Sequence, residues 1–187
     1  MDRVCIFIDG SNFYHALKTA SLPSSVDFGK LALELTGPNR KHVQTYYYNV
    51  PLHRPKPNDP DFATKEDRCR EQQRFFNALR FVPNLTFQMG RLQKLPGGGQ
   101  VEKGVDIAIA VDMLTLAYKD RYDVAILISS DADFKRAIEA IKYETGRQVE
   151  LHQIAGAKAY DLITVCSIHK PIQPEVIRRC LRNNRPA

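Results

Sequence analysis

The chain has 187 residues, 43% of them hydrophobic and 26% charged, with a formal net charge of +6 and a pI near 9.2. That length suits one domain, or one with embellishments, with enough chain to bury a sizeable core. The composition is that of an ordinary globular protein, and the basic balance mildly favours a polyanionic partner. No apolar run approaches the roughly 20 residues of a membrane span, so the expectation is a soluble cytoplasmic protein with no signal peptide and no membrane partner. The four cysteines, Cys5, Cys69, Cys166 and Cys180, form no C-x-x-C pair. They read as reduced thiols, Cys5 and Cys166 being buried in apolar runs, rather than as a disulfide framework.

In chain order, Val4-Cys5-Ile6-Phe7-Ile8 is an unbroken apolar run, which suits a strand buried on both faces, and it ends in Asp9-Gly10-Ser11-Asn12. A helix follows over about 12–20, capped by Ser11 or Asn12. A second covers 28–35, where Phe28, Leu31, Ala32 and Leu35 keep helical spacing. Residues 43–50, with three consecutive tyrosines, read as a second strand. The proline-rich stretch 51–61 is a loop, either functional or a surface insertion. Residues 64–81 form a charged amphipathic helix whose arginines, Arg68 among them, are either a solvated face or phosphate contacts. A third strand spans 85–89, and 90–103 is a small excursion, read as a hairpin turning at Gly97-Gly98-Gly99. The helix over 105–118 is apolar nearly all round, which predicts deep burial. A strand over 124–128, a helix over 133–144 and a strand over 147–151 follow, with Gly146 as the cap between the last two. A short helix or turn over 157–162, a short final strand over 163–166 and a helix over 174–181 complete the chain before a basic tail. This alternation predicts right-handed βαβ units and an α/β fold of the three-layer, Rossmann-like kind, with a mainly parallel sheet. The domain is expected to cover residues 1–170, with 171–187 as a C-terminal helix and tail.

Val124-Ala125-Ile126-Leu127-Ile128 repeats the design of the first strand and ends in Ser129-Ser130-Asp131-Ala132-Asp133. Open α/β sheets bind ligands at the carboxyl ends of their strands, where Asp9, Asp131 and Asp133 would all lie. Asp106, in the first turn of the long helix, is either favoured there by the helix dipole or a fourth member of the group. Packed carboxylates raise one another's pKa. A divalent cation relieves this, and Mg²⁺ and Mn²⁺ prefer oxygen ligands. Such a metal activates water and stabilises charge at phosphorus. Asn12 and the hydroxyls of Ser11, Ser129 and Ser130 could hold waters or substrate oxygens; the alternative is that Ser11, Asn12 and Asp131 are helix caps. Arg68, Arg91, Lys94 and Lys103 are the basic candidates for holding a nucleic-acid strand, and Lys103 either meets phosphate or pairs with an Asp. Asp112 lies six residues past Asp106, about 240° round the helix. The two cannot both point squarely into one crevice, so Asp112 either touches the site or makes a salt bridge or a contact to a neighbouring loop. The G-x-G-x-x-G, P-loop and G-x-S-x-G patterns are absent, and the five histidines form no zinc pattern.

Phe7 to Tyr14 (F-I-D-G-S-N-F-Y), Lys103-Gly104-Val105-Asp106 with Asp112 in the following helix, and Ser129 to Phe134 (S-S-D-A-D-F) together resemble the NYN domain family of PIN-like nucleases. Within it the LabA-like bacterial branch is most similar, over about residues 3–166. The resemblance implies a PIN-like fold and an acidic cluster that holds Mg²⁺ or Mn²⁺ and cleaves RNA. Asp9, Asp106, Asp131 and Asp133 match the acidic positions, and Asn12 matches the polar position after the first of them. The middle glycine of the last motif is Ala132 here. The leading expectation is therefore a metal-dependent ribonuclease. Asp9, Asp106 and Asp131 would be its metal ligands, with Asp133 assisting directly or through a water. Ser11, Asn12, Lys103, Ser130, Arg91 and Arg68 would hold single-stranded RNA. The rival is a non-catalytic RNA-binding or regulatory module. A small-molecule phosphatase is a third reading, against which stands the missing D-x-D-x-T/V after the first strand. Further copies of the chain are also candidate partners, since nothing in the sequence fixes the oligomeric state.

Overall fold

The structure, a computed structural model, describes residues 1–94 and 100–182. The expected turn at residues 97–99 and most of the basic tail lie outside the described residues. The elements run β1 (Asp2–Asp9), α1 (Gly10–Thr19), α2 (Phe28–Thr36), β2 (Arg40–Asn49), α3 (Phe62–Leu79), β3 (Leu85–Met89), β4 (Arg91–Lys94) and β5 (Gln100–Lys103). They continue with α4 (Val105–Tyr118), β6 (Val124–Ile128), a 3-10 turn (Ala132–Phe134), α5 (Lys135–Thr145), β7 (Gln148–Ile154), α6 (Tyr160–Ile163), β8 (Ile168–Ile172) and α7 (Pro174–Arg179).

Six strands form one parallel sheet in the order β3-β2-β1-β6-β7-β8. Helices cover both faces, so β6 and β1 from Val4 onward are buried, which is why they read as unbroken apolar runs. On one face Val4, Ile6, Ile8, Val124, Ile126 and Ile128 pack under α1, α2, α3 and α7. On the other Cys5, Phe7, Ala125 and Leu127 pack under α4 and α5. β4 and β5 stand apart as an antiparallel ribbon. After β8, α7 packs on α2, and the Asp27 amide donates to the Cys180 carbonyl at 2.7 Å.

The starts of three adjacent strands are tied by an ion cluster. The Arg3 amide donates to Asp123 Oδ2 at 2.8 Å, and the Asp123 amide donates back to the Arg3 carbonyl at 2.9 Å. The guanidiniums of Arg3 and Arg147 both meet Asp120 and Asp123. The Arg3 hydrogen bonds hold the Asp123 carboxyl well below the usual carboxylate range.

Three expectations need correction. The final strand is not at 163–166: Ile163, Thr164 and Cys166 donate to the carbonyls of Ala159, Tyr160 and Leu162 in helical turns, and the strand is β8. β8 lies at the sheet edge, where Pro171 costs no ladder bond, and its mostly exposed residues carry no apolar run. The helix α4 is not buried all round. Ile109, Met113 and Ala117 face the sheet, while Ile107, Val111 and Tyr118 are exposed, Ile107 to 70%. Finally, all four cysteines are free thiols, but Cys166 is half-buried rather than buried. No helix among the described residues is long and apolar enough to cross a membrane.

Candidate functional site

β1 and β6 are neighbours in register, with Ile8 opposite Ile128. The next residues, Asp9 and Ser129, therefore emerge side by side at the carboxyl edge of the sheet. Ser129 Oγ donates to Asp9 Oδ2 at 3.1 Å, and Asp9 is only 5% exposed. Gly10 follows because a Cβ there would sit 2.6 Å from the Tyr47 ring and from the Tyr48 carbonyl oxygen. The chain then enters α1 at once.

The cap of α1 is Asp9, not Ser11 or Asn12: Asp9 Oδ1 accepts the Asn12 amide at 3.0 Å. A carboxylate reaches this amide from the strand end directly, and the other two side chains take different partners. Asn12 Oδ1 accepts the Ser130 amide at 3.1 Å, joining α1 to the end of β6. Ser11 Oγ donates to Asn49 Oδ1 at 3.2 Å, at the end of β2. Asp131 is a cap as well, of the 3-10 turn, with its Oδ1 accepting the Asp133 amide at 2.9 Å. The Asp131 amide in turn donates to Ser129 Oγ at 3.1 Å. The strand ends are thus one hydrogen-bonded unit with Ser129 at its centre.

Asp106 comes from the third element, the first turn of α4. Gly104 at φ +86°, a backbone conformation open to glycine, swings the β4–β5 ribbon into that helix. Asp106 is half-buried, and its carboxyl pKa is raised, first by burial and then by the charges of Asp9, Asp131 and Asp133. The four acidic residues therefore share one field. They do not share one point: among the described residues no three carboxylate, imidazole or thiol groups stand close enough together to hold an ion as they are. Chemically the donors suit a hard divalent cation, being carboxylates with hydroxyl and amide oxygens beside them. The uncompensated repulsion at Asp106 is what such a cation would relieve. Asp112 lies outside this field, where its Oδ2 accepts the Tyr48 hydroxyl at 2.8 Å.

Of the basic candidates, Arg91 and Lys103 precede α4 and Arg68 lies on α3. Arg91 and Lys103 are cross-strand partners at the base of the ribbon, both exposed, with Lys103 three residues before Asp106. Arg68 is exposed on α3, one turn before Gln72, whose amide donates to the Val50 carbonyl at 3.0 Å just past the end of β2. The side chain of Lys94 lies outside the described residues. Two residues escaped the sequence reading. Gln153 on β7 is 3% exposed and donates to Ser130 Oγ at 2.8 Å, and Asn49 is 8% exposed and anchors Ser11. The one signal for each was a polar side chain near the carboxyl end of a strand.

A crystal structure of a protein of unknown function from Vibrio parahaemolyticus RIMD 2210633 is similar, with a TM-score of 0.67 at 20% identity, over 91% of this chain and 93% of that one. At that identity the likeness shows the shared three-layer α/β fold alone. No curated protein matches the sequence. The NYN domain matches residues 3–172, from the start of β1 to the end of β8 and across every element that brings an acidic residue to the site. The chain belongs to the NYN domain family.

Proposed function

We propose that the protein is a metal-dependent ribonuclease acting at the carboxyl edge of β1 and β6, and, on its motif residues, a member of the LabA-like branch. The observation that carries this reading is the meeting of Asp9 and Asp131 through Ser129 at that edge, with Asp106 of α4 close enough for their charges to add to burial in raising its carboxyl pKa. Asp9, Asp106 and Asp131 would hold Mg²⁺ or Mn²⁺, and such an ion, when bound, supplies Lewis acidity toward a phosphoryl oxygen and makes a water more acidic. The chain's own residues do the rest. Asn12 and Ser130 keep the two strand ends at a fixed separation and orient the strand of RNA. The exposed carboxylate of Asp133 would take the proton of the water that attacks phosphorus in line, as the bond to the departing sugar oxygen on the opposite side breaks. Arg91 and Lys103 hold phosphate from the ribbon, and Arg68 holds it from α3; these contacts weaken as salt rises. Single-stranded RNA is the substrate, and the four free thiols support a reducing, cytoplasmic setting.

The test is cleavage of single-stranded RNA by highly purified protein with Mn²⁺ or Mg²⁺, alongside Asp9→Asn and Asp131→Asn. The wild type should cleave and both variants should lose measurable activity. A wild type that cleaves nothing, or variants with full activity, would end this reading. The separation of the carboxylates favours the rival, an RNA-binding module without turnover. RNA binding indifferent to EDTA, with no product formed, would establish that rival instead.

A further inference from the structure

Beside the acidic edge a cleft of about 530 Å³ opens between α1 and the loop that follows β7. Asn12, His15 and Thr19 form one wall, Lys158 lies on the opposite one, buried Ile154 is the floor, and Ser130 closes the inner end. No Asp or Glu lines it. The bond between Asn12 and Ser130 joins the cleft to the acidic edge, and the cleft's lining is mostly small and apolar, with Lys158 as its one fixed cation.

The walls are built rather than loose. The Ala155 amide donates to the Ile172 carbonyl and the Ala157 amide to the Ile154 carbonyl, each at 3.0 Å. Ser130 Oγ accepts from Gln153, so its own proton is left to give to an acceptor in the cleft. Lys158 is exposed and has no ion-pair partner among the described residues. The cleft therefore asks for a ligand with an oxygen acceptor at the inner end and an anion at the rim. Its volume lies within the range of sites for small organic ligands, about 300–1,000 Å³.

We propose that this cleft is a nucleotide subsite. It seats the nucleoside next to the scissile phosphate of a single-stranded RNA, Ser130 donates to that nucleoside, and the Lys158 ammonium meets the flanking phosphate. A splayed nucleotide is how single strands are read, and a paired base has no such freedom. The placement next to the scissile bond rests on the ribonuclease reading.

The experiment uses the full chain in EDTA, so that binding is separated from turnover. 5′-AMP and 5′-UMP are titrated while backbone amide resonances are followed. A fluorescent single-stranded RNA of roughly ten nucleotides is then bound across a range of salt. Lys158→Ala and Thr19→Trp, both at exposed positions, remove the cation and obstruct the cleft. The mononucleotides should shift the amides of Ser130, Gly156 and Ala157. Lys158→Ala should weaken the oligonucleotide by up to about fivefold and reduce its salt slope by about 1. Thr19→Trp should weaken it too, Lys158→Arg should restore it, and a duplex of equal length should not compete. Wild-type affinity and slope in both variants, or amide shifts confined elsewhere, would overturn the subsite. RNA bound through the cleft but never cleaved would support the subsite and overturn the ribonuclease reading. Cleavage that depends on Asp131 but is indifferent to both cleft variants would overturn the subsite alone.

Discussion

Asn12 accepts the backbone amide of Ser130 on its side-chain oxygen at 3.1 Å, a bond between residues 118 positions apart. Asn12→Ala leaves that half-buried amide without its partner, at a cost of about 1–2 kcal/mol. The same change leaves the Ser129–Asp131 segment tied to the start of α1 through Ser129 and Asp9. Urea denaturation should show the loss of stability, and RNA cleavage should fall with it. Equal stability of wild type and Asn12→Ala would show that the bond does not tie the two elements together.

Asp106 carries a second prediction. Its carboxyl pKa is raised, first by burial and then by Asp9, Asp131 and Asp133. The stability linked to a raised carboxyl is fully present below its unfolded value, near 3.8, and is lost as pH rises through the folded value. Asp106→Asn escapes that loss. The metal-free variant should therefore melt above the wild type at pH 7, and the difference should close as the pH falls to about 3. Mn²⁺ should raise the melting temperature of the wild type more than that of the variant. Calorimetry across pH decides it, and a variant that melts lower at pH 7 contradicts a shared acidic field.

Asp112 should behave differently. Its carboxylate receives the hydroxyl of buried Tyr48 at 2.8 Å, away from the other four. Asp112→Asn keeps an acceptor there, so RNA cleavage should stay within about twofold of wild type, a difference of some 0.4 kcal/mol in the barrier. Tyr48→Phe removes the donor and should lower stability by about 1 kcal/mol, again with little change in turnover. Steady-state kinetics on the two variants tests this. An Asp112→Asn variant as inactive as Asp9→Asn would put Asp112 into the site.

Three residues before Gln153 on β7, Glu150 is 2% exposed and faces Arg40, His152 and Lys170. Burial alone would push its carboxyl up. The hydrogen bonds from His152 and Lys170 and the charge of Arg40 outweigh that and bring it down to about 2. A depressed carboxyl contributes stability above its unfolded value of 4.5 and loses that contribution as pH falls toward 2. Glu150→Gln should cost about 2–4 kcal/mol at pH 7, and the gap from wild type should narrow across that acid window. Denaturant midpoints at several pH values give the answer; a gap that does not narrow would deny Glu150 its ionic role.

The parts legible in one dimension were those fixed by burial on both faces. β1 is apolar from Val4 to Ile8 and β6 from Val124 to Ile128, so these runs and the aspartates beyond them stood out. β8 did not, because an edge strand reading Ile168-His169-Lys170-Pro171-Ile172 buries too little to leave a pattern. Ile163 and Val165 drew the strand assignment instead, although they pack against the core from a helical turn. At the site, Asn49 and Gln153 act on Ser11 and Ser130, which lie 38 and 23 positions away. Neighbouring residues carry no trace of such partnerships, which arise only when strands are laid side by side. The caps were misplaced for a related reason: Asp9 belongs at once to a strand end and to the next helix start, and only its geometry shows both roles.

Arg3 and Asp123 bind each other at the starts of β1 and β6, and from there the two strands run level to Asp9 and Ser129. The site is therefore set by counting. Removing one residue from either strand would bring its end about 3.3 Å short and turn every following side chain to the opposite face. Asp9 would then point away from Ser129, however well the local D-G-S-N sequence were preserved. Only matched changes, two residues at a time and in both strands together, would keep the ends in step. The sheet is a gauge, zeroed at its salt-bridged end and read at its acidic one.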